Sequence, residues 1–274
     1  MTLKPPPLQN DCFALPPGVS WTPVEDALAL LQDRLSPVTE SETLPLQDAA
    51  GRVLAADVIA RRSNPPQANS AVDGYGFAGP AGEGAQVLPL TSGRAAAGVP
   101  FEDTVPPGQA IRILTGAAIP EGVDTVILEE DVNADASHIA FNGPLKKGAN
   151  ARKAGEDAAV GDTVLTAGRV LTPADLALAS AVGTDRFSVR KPLRVAVVST
   201  GDELVEPGAD AGAGQNYDAN RPMLLALMRD WGFEAIDLGP TGDDRAALRA
   251  QLDCGAAQAD VILTSGGASA GDED

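Results

Sequence analysis

Three loops rich in glycine, hydroxyl and carboxylate side chains carry the chemistry available to this sequence. They are 200–203 (TGDE), 239–244 (GPTGDD) and 264–274 (TSGGASAGDED). Glycines and hydroxyls let N–H groups close on phosphate oxygens, whereas carboxylates suit Mg²⁺, which takes oxygen ligands from protein and phosphate together. For any one loop, the alternative is that Gly and Asp simply form a turn. Three such loops at one edge favour a binding site for a phosphorylated ligand.

Each loop follows a predicted strand. Residues 193–200 (LRVAVVST) form an apolar, β-branched run, which is typical of a strand buried on both faces. Residues 233–239 and 260–267 predict two more strands. Helices are predicted at 221–231, with Pro222 in its first turn and Gly232 past its end, and at 243–258, capped by Asp243 or Asp244. This alternation predicts a parallel sheet with right-handed crossovers, in which ligands bind at the carboxyl ends of the strands.

Composition bounds the function. The chain has 274 residues and a net charge of −18, from 20 basic and 38 acidic side chains. This length predicts two or three domains, and the charge argues against nucleic acid or an anionic membrane as a partner. The two cysteines, Cys12 and Cys254, and the single His138 predict neither a disulfide scaffold nor a zinc site. No apolar run reaches about 18 residues, and the Pro-rich residues 1–17 lack a signal-peptide core. We therefore expect a cytoplasmic protein.

The upstream chain predicts two further kinds of structure. Thr22-Pro23-Val24-Glu25 predicts a capping box with Pro at the first helical position, followed by a helix with a buried apolar face. Thr172-Pro173-Ala174-Asp175 repeats this pattern. Between them, short β-rich runs punctuated by Gly and Pro predict a small all-β domain. The fold class expected is a multidomain α/β protein. Its parts are a disordered lead-in (1–20), an elongated helix-containing domain (21–58 plus 158–192), an inserted β-rich domain (59–157) and an incomplete, doubly wound parallel α/β domain (193–274).

Three clusters in the β-rich part hold further polar groups. NSAVDGYGF (69–77) places Asp73 before a glycine, although Asp-Gly alone also predicts a hairpin turn. RILTG (112–116) ends a strand in Thr115. RKAGED (152–157) contains the adjacent cations Arg152 and Lys153, which an acidic chain needs to bind an anion; a solvated charged turn is the alternative.

Five of these segments together resemble one family. VAVVSTGDEL, the GDD after the second strand, and ILTSGGASAGDED resemble the molybdopterin-binding domain of the MoeA and gephyrin E-domain family, the molybdopterin molybdenumtransferases. The molybdopterin adenylyltransferases share that domain but lack the upstream half. Here that half carries ANSAVDGYG, RILTGA and AGEDA, in the order of the family's DNSAMDGYA, R-I-x-T-G-A and G-E-D segments. The resemblance runs from Trp21 to Asp274. It departs at Ala68, where the family has Asp, and at Ala154, which replaces a basic residue.

The resemblance implies a set of functional positions. The family's functional positions fall on Asp73, Thr115, Asp157, Glu203, Asp243 and Asp274, which are the expected catalytic residues. We expect the carboxylates of Glu203, Asp243 and Asp274 to hold Mg²⁺. Expected substrate contacts are Arg152, Lys153, Thr200, Gly201, Asp202, Ser265, Gly266, Gly267 and Ser269, with Arg152 and Lys153 meeting molybdate and Gly266, Gly267 and Ser269 cradling the pterin-side phosphate.

The activity implied is the Mg²⁺-dependent insertion of molybdate into adenylylated molybdopterin with release of AMP. The family resemblance also implies a homodimer, and the molybdopterin adenylyltransferase as a further partner. Two alternatives stay open, a non-catalytic molybdopterin-binding or scaffold module and a molybdopterin adenylyltransferase. The resemblance also implies that family members continue for well over a hundred residues beyond the position matched by Asp274. If the chain is a truncated member, we expect it to be inactive by itself.

Overall fold

A computed structural model of the chain describes residues 22–266. The predicted lead-in, Cys12, Gly267, Ser269 and Asp274 lie outside these residues. The chain divides into two compact units, with the boundary between Val38 and Thr39. The helices are α1 (Val24–Arg34), α2 (Pro173–Ala181), α3 (Asn220–Asp230) and α4 (Arg245–Gln258), and short 3₁₀ helices span Leu46–Asp48 and Glu129–Asp131. No helix among residues 22–266 is long and apolar enough to cross a membrane.

The strands all lie in the second unit. In chain order they are β1 (Ser41–Pro45), β2 (Val58–Ile59), β3 (Asn69–Ser70), β4 (Gly74–Phe77), β5 (Ala81–Ala95), β6 (Ala110–Ile113), β7 (Thr125–Leu128), β8 (Val132–Ala134), β9 (His138–Leu145), β10 (Ala151–Arg152), β11 (Thr163–Leu165), β12 (Arg186–Arg190), β13 (Arg194–Thr200), β14 (Leu204–Val205), β15 (Asn216–Tyr217), β16 (Glu234–Thr241) and β17 (Val261–Ser265).

The first unit contains α1, and two predictions about this helix are wrong. The helix begins at Val24, so Pro23 occupies the N-cap position, and no side chain caps it. Val24 is 69% exposed and Leu28 is 54% exposed, and no residue of α1 is buried. Helical spacing of apolar residues marks a face that can be covered, but whether another element covers it depends on tertiary packing.

The second Thr-Pro segment confirms its predicted cap. Thr172 Oγ1 accepts a hydrogen bond from the backbone N–H of Asp175, and Asp175 Oδ2 accepts one from the N–H of Thr172 at 2.8 Å. Arg169 Nε also lies 2.9 Å from Asp175 Oδ1. The Asp175 side chain is 5% exposed. The hydrogen bond from Arg169 and then that from Thr172 lower the pKa of Asp175 to about 2.

Acid should weaken the fold through Asp175. Because the folded pKa is about 2 and the unfolded value is 3.8, the carboxylate contributes stability above pH 4 that is lost as the pH falls towards 2. We expect this loss to reach about 2 kcal/mol in the free energy of unfolding. Urea denaturation of the wild type and Asp175→Asn across this range measures it. The exposed Asp253→Asn is the control, and equal pH slopes for Asp175→Asn and the wild type would contradict the assignment.

Residues before and after the β-rich part share one apolar core. β1 pairs antiparallel with β12, and β2 with β11. The buried core residues come from both stretches: Ala49, Leu54, Val58, Leu165, Leu171, Ala179, Phe187 and Val189. The β-rich part has a separate core around Phe77, Ile127 and Phe141. The exact domain boundaries stay predictions.

The β-rich part forms a six-stranded sheet in the order β7-β4-β6-β5-β9-β8. β3 and β10 pair antiparallel beside it. The Asp73-Gly74 segment is not a hairpin turn, because Gly74 begins β4, which pairs with both β6 and β7. The predicted β-rich region and its strands are therefore present.

The predicted parallel sheet lies within residues 194–265. Its order is β16-β13-β17, so the first strand in sequence lies in the middle. β13 is buried from Val195 to Ser199, as its apolar sequence predicts. α3 and α4 connect the strands, and α4 is capped by Asp244, whose Oδ2 accepts from the Ala247 N–H at 2.7 Å.

Candidate functional site

The three predicted loops leave the same edge of the parallel sheet. Thr200, the last residue of β13, is in register with Thr241 of β16, and Ser199 is in register with Ser265 of β17. Because all three strands run in the same direction, their carboxyl ends bring these loops together. The convergence inferred from the sequence is confirmed for the described parts of the loops.

Reciprocal hydrogen bonds join the first two loops. The backbone N–H of Asp202 donates to Asp243 Oδ2, and that of Asp243 donates to Asp202 Oδ1, each at 3.2 Å. The N–H of Gly201 donates to the carbonyl of Thr241 at 3.1 Å. The N–H groups of Gly201 and Asp202 are therefore used within the protein, and a phosphate at this edge would need other donors.

The Ser265 hydroxyl at the third loop is such a donor, because its Oγ accepts the bond from Asn220 and its own proton has no acceptor among the described residues. Thr200 Oγ1 lies 3.4 Å from the Ser265 carbonyl oxygen, and Asn220 Nδ2 donates to Ser265 Oγ at 3.0 Å. A Cβ at Gly266 would overlap Thr200 Oγ1 and lie 2.8 Å from the Thr200 carbonyl oxygen. Gly266 therefore allows the third loop to pass directly over the end of β13.

The described carboxylates do not by themselves form a metal site. Glu203 and Asp243 offer the oxygen ligands that Mg²⁺ prefers, and they lie on the two joined loops. Among residues 22–266, however, no three His, Cys, Asp or Glu side chains converge as metal ligands. Since the third expected ligand, Asp274, lies outside that range, the geometry supports no catalytic step through a metal.

In the β-rich part, the structure brings Asp73 and Thr115 together. Asp73 Oδ1 accepts hydrogen bonds from both the hydroxyl and the backbone N–H of Thr115, each at 2.6 Å. The hydroxyl bond, followed by the backbone bond, lowers the pKa of Asp73 below its ordinary value. Asp73 is thus held as an anion on an exposed surface.

Removing the Thr115 hydroxyl should raise the pKa of Asp73. In Thr115→Val the backbone bond stays and the larger of the two contributions is lost, so the carboxyl titrates at higher pH. Carbon-13 NMR titration of the Asp73 carboxyl measures the change. Thr104→Val, which removes a comparable exposed hydroxyl bond to Glu121, is the matched control. An unchanged Asp73 titration in Thr115→Val would contradict the assigned pair.

Arg152 is engaged by carboxylates of its own loop. Its guanidinium Nη2 lies 2.5 Å from Asp157 Oδ1, and its Nε lies 3.3 Å from Glu156 Oε1. Asn64 adds a bond from Nδ2 to Asp157 Oδ2 at 3.3 Å. Molybdate at Arg152 would therefore have to compete with Glu156 and Asp157. Lys153 donates its backbone N–H to Glu156 Oε2 at 3.0 Å.

β3 lies between the Asp73–Thr115 pair and the loop that contains Arg152. Asn69 pairs with Arg152, and the N–H of Gly116 donates to the Ser70 carbonyl at 2.8 Å. A pocket of about 250 Å³ opens beside the strand, lined by residues that include Arg62, Asn69 and Gly116. Asn69 Oδ1 is buried without a hydrogen-bond partner, so a donor group of a ligand or water would satisfy it.

The candidate residues thus form two groups. One contains Asp73, Thr115, Arg152, Lys153 and Asp157. The other contains Thr200, Gly201, Asp202, Glu203, Asp243, Ser265 and Gly266. In the part of the chain that the structure describes, no hydrogen bond or ion pair joins the two groups.

The structure adds polar residues that the sequence did not single out. Asn64 orients Asp157, Asn220 reaches Ser265, and Arg112 lies 5.1 Å from the centre of the Tyr75 ring and pairs with Glu129. Asn220 could have been found, because it opens a helix that follows a candidate phosphate loop. Asn64 acts on a residue distant in the chain and carries no local signal. Arg112 opens the RILTG cluster, but that cluster does not predict its contacts with Tyr75 and Glu129.

Comparison with known proteins gives family matches over most of the chain. Residues 22–183 match the model of the MoeA N-terminal region (domain I and II). Residues 196–274 match the model of a probable molybdopterin binding domain. Together the two models account for both groups of candidate residues.

Curated relatives and solved structures agree. The chain is 40% identical over 254 residues to a molybdopterin molybdenumtransferase of Haemophilus influenzae, covering 92% of this chain and 62% of that protein. It is 40% identical over 234 residues to molybdopterin molybdenumtransferase 2 of Mycobacterium tuberculosis, covering 84% and 58%. A crystal structure of the molybdopterin biosynthesis moeA protein from Pyrococcus horikoshii superposes with a TM-score of 0.76 at 31% identity, covering 90% of this chain and 67% of that one.

The chain spans about 60% of the length of the two curated relatives. Its match nevertheless includes the upstream half, which the molybdopterin-binding domain by itself does not contain. The chain therefore belongs to the MoeA family.

Proposed function

We propose that this protein acts in molybdenum cofactor biosynthesis as a molybdopterin molybdenumtransferase. The observation that carries the proposal is the edge where Thr200, Asp243 and Ser265 meet, on loops joined by the Asp202–Asp243 bonds. Hydroxyl donors and carboxylates placed side by side suit a ligand with a phosphoanhydride and its counter-ion. The names of the relatives support molybdopterin as that ligand.

In this proposal adenylylated molybdopterin binds at the sheet edge. The hydroxyl of Ser265 donates to its phosphate oxygens, and Asn220 holds Ser265 in place. Mg²⁺, when bound, would neutralise the pyrophosphate and polarise the bond that breaks as AMP leaves. The carboxylates of Glu203 and Asp243 are the side chains proposed to bind it, with Asp274.

The group that contains Asp73, Thr115, Arg152, Lys153 and Asp157 would contact molybdate. Lys153 offers a cation there, and Asp73, kept anionic by Thr115, would orient a donor of the substrate. We assign the two groups to different subunits of a homodimer, as the resemblance implies. The homodimer, an adenylyltransferase partner and a cytoplasmic location stay predictions.

One incubation tests the proposal. The chain is mixed with adenylylated molybdopterin, Mg²⁺ and molybdate, and released AMP is measured with and without molybdate. Release that depends on molybdate supports the transferase. Binding of adenylylated molybdopterin without release supports a binding module, and formation of adenylylated molybdopterin from ATP and molybdopterin supports an adenylyltransferase. Failure to bind adenylylated molybdopterin at all would overturn the assignment of the sheet edge.

A further inference from the structure

A buried guanidinium lies behind the sheet edge. Arg221, the second residue of α3, is 7% exposed. Its Nε lies 3.0 Å from Asp218 Oδ2, and its Nη1 lies 2.8 and 2.7 Å from the two oxygens of Asp237. Its Nη2 contacts Glu206 Oε1. One cation is therefore shared among three carboxylates.

The three carboxylates belong to three separate segments. Glu206 follows β14, Asp218 follows β15, and Asp237 lies within β16. Asp218 is 2% exposed and its Oδ1 also accepts the Arg221 N–H at 3.1 Å. Burial by itself raises the pKa of Asp218, but the bonds from Arg221 outweigh burial and hold that pKa below its ordinary value. Arg221 thus ties the segments together with charged hydrogen bonds, which are stronger than neutral ones.

Two of these segments lead directly to the candidate site. β14 begins at the residue after Glu203, and the Glu203 carbonyl accepts the Asn216 N–H of β15 at 2.8 Å. β16 ends at Thr241, two residues before Asp243. The small parallel pair of β14 and β15 therefore carries Glu203, and β16 carries Asp243.

We propose that Arg221 is a positioning residue that holds the loop carrying Glu203 against the loop carrying Asp243. Arg221 itself contacts neither residue. It acts through Glu206 and Asp218 on one side and Asp237 on the other, and the Asp202–Asp243 bonds at the surface form where the two loops are brought together. This inference rests on the proposed function only for its effect on turnover.

Glu206→Gln tests the inference without leaving a buried charge unpaired. Glu206 is 55% exposed, and Arg221 keeps Asp218 and Asp237 in the variant. We expect hydrogen exchange at the backbone amides of Asp202 and Asp243 to rise about tenfold, as suits the loss of one charged hydrogen bond. Neither amide touches Glu206 or Arg221, so a change there reports displacement of one loop from the other.

Asp260→Asn is the matched control. Asp260 pairs with Arg194 at the opposite end of the same sheet, with 2.7 Å between Arg194 Nη2 and Asp260 Oδ1. The Asp260→Asn substitution removes one carboxylate from an ion pair in the sheet. General weakening of the sheet would therefore raise hydrogen exchange at Asp202 and Asp243 in both variants. Unchanged exchange at Asp202 and Asp243 in Glu206→Gln, or an equal rise in Asp260→Asn, would overturn the inference.

Turnover is a second measurement, made at temperatures well below the melting temperatures of both variants. We expect Glu206→Gln to lower kcat for AMP release with little change in KM, and Asp260→Asn to leave both unchanged. Arg221→Lys, which keeps the charge but loses the planar fork, should show the same kcat loss. If the wild type releases no AMP, the proposed function fails while the hydrogen exchange result still decides whether Arg221 positions the loops. Normal turnover in Glu206→Gln with faster exchange would overturn the part in turnover inferred for Arg221, because the loops would then be displaced without effect on the reaction.

Discussion

Gly74→Ala is expected to unfold the β-rich part of the protein. A Cβ at Gly74 would overlap the carbonyl oxygen of Ile127 and lie 2.9 Å from its carbonyl carbon, both backbone atoms of the neighbouring strand. Because β4 is hydrogen-bonded on both sides, to β6 and β7, it cannot move away from one partner without losing the other. We expect a loss of about 4 kcal/mol or more, a large share of a typical domain's stability.

Two other glycines in the same sheet make a graded control series. A Cβ at Gly76 would lie 2.8 Å from Val123 Cγ1, a side-chain atom that can shift, so Gly76→Ala should cost less than Gly74→Ala. A Cβ at Gly82 would meet nothing within 4 Å, so Gly82→Ala should be close to neutral. Chemical denaturation, monitored by circular dichroism, measures the free energy of unfolding of the three variants. A Gly74→Ala protein as stable as Gly82→Ala would show that β4 is not packed between its two neighbours.

Asp243→Ala is expected to reduce molybdate-dependent AMP release at least about a hundredfold. The substitution removes both a proposed Mg²⁺ ligand and the acceptor that binds the Asp202 N–H. Folding should be nearly unaffected, since this carboxylate lies in an exposed loop outside the apolar core. Glu203→Ala should have an effect of the same kind, and both should raise the Mg²⁺ concentration needed for half-maximal rate.

The adjacent carboxylate gives a control with the opposite outcome. Asp244 caps α4, so Asp244→Ala should cost about 1 kcal/mol of stability while keeping turnover. AMP release and melting temperature, measured on both variants, separate the two roles. If Asp243→Ala unfolds the protein, or turns over at the wild-type rate, Asp243 has no role in the site. Should the wild-type chain bind adenylylated molybdopterin without releasing AMP, the same comparison is made on the dissociation constant.

Much of the architecture follows from local patterns in the sequence. The apolar run 193–200 and the alternation of strands with helices predict a parallel sheet, and β13, β16 and β17 confirm it. The carboxyl-end rule then places Thr200, Asp243 and Ser265 at one edge. These predictions succeed because the patterns that favour a strand or a helix involve residues close together in the chain.

The predictions that failed concern which other part of the protein a helix or loop contacts. The Thr22 segment and the Thr172 segment have the same pattern, yet only Thr172 forms its capping box. The apolar spacing in α1 is as regular as a buried helix requires, but its leucines are exposed. The hairpin turn that was the alternative for Asp73-Gly74 is also absent, because tertiary pairing makes Gly74 the first residue of a strand between two others.

The local sequence identified the individual loops and the residue types able to do chemistry in them. The tertiary structure decided which of those residues meet. Thr115 reaches Asp73 across 42 positions of the chain, and Arg221 joins carboxylates from three segments. Such contacts depend on the path of the backbone between distant residues, and no pattern of short period encodes that path. The same path also places Arg152 against Glu156 and Asp157, so a cation expected to be available for an anion is already paired.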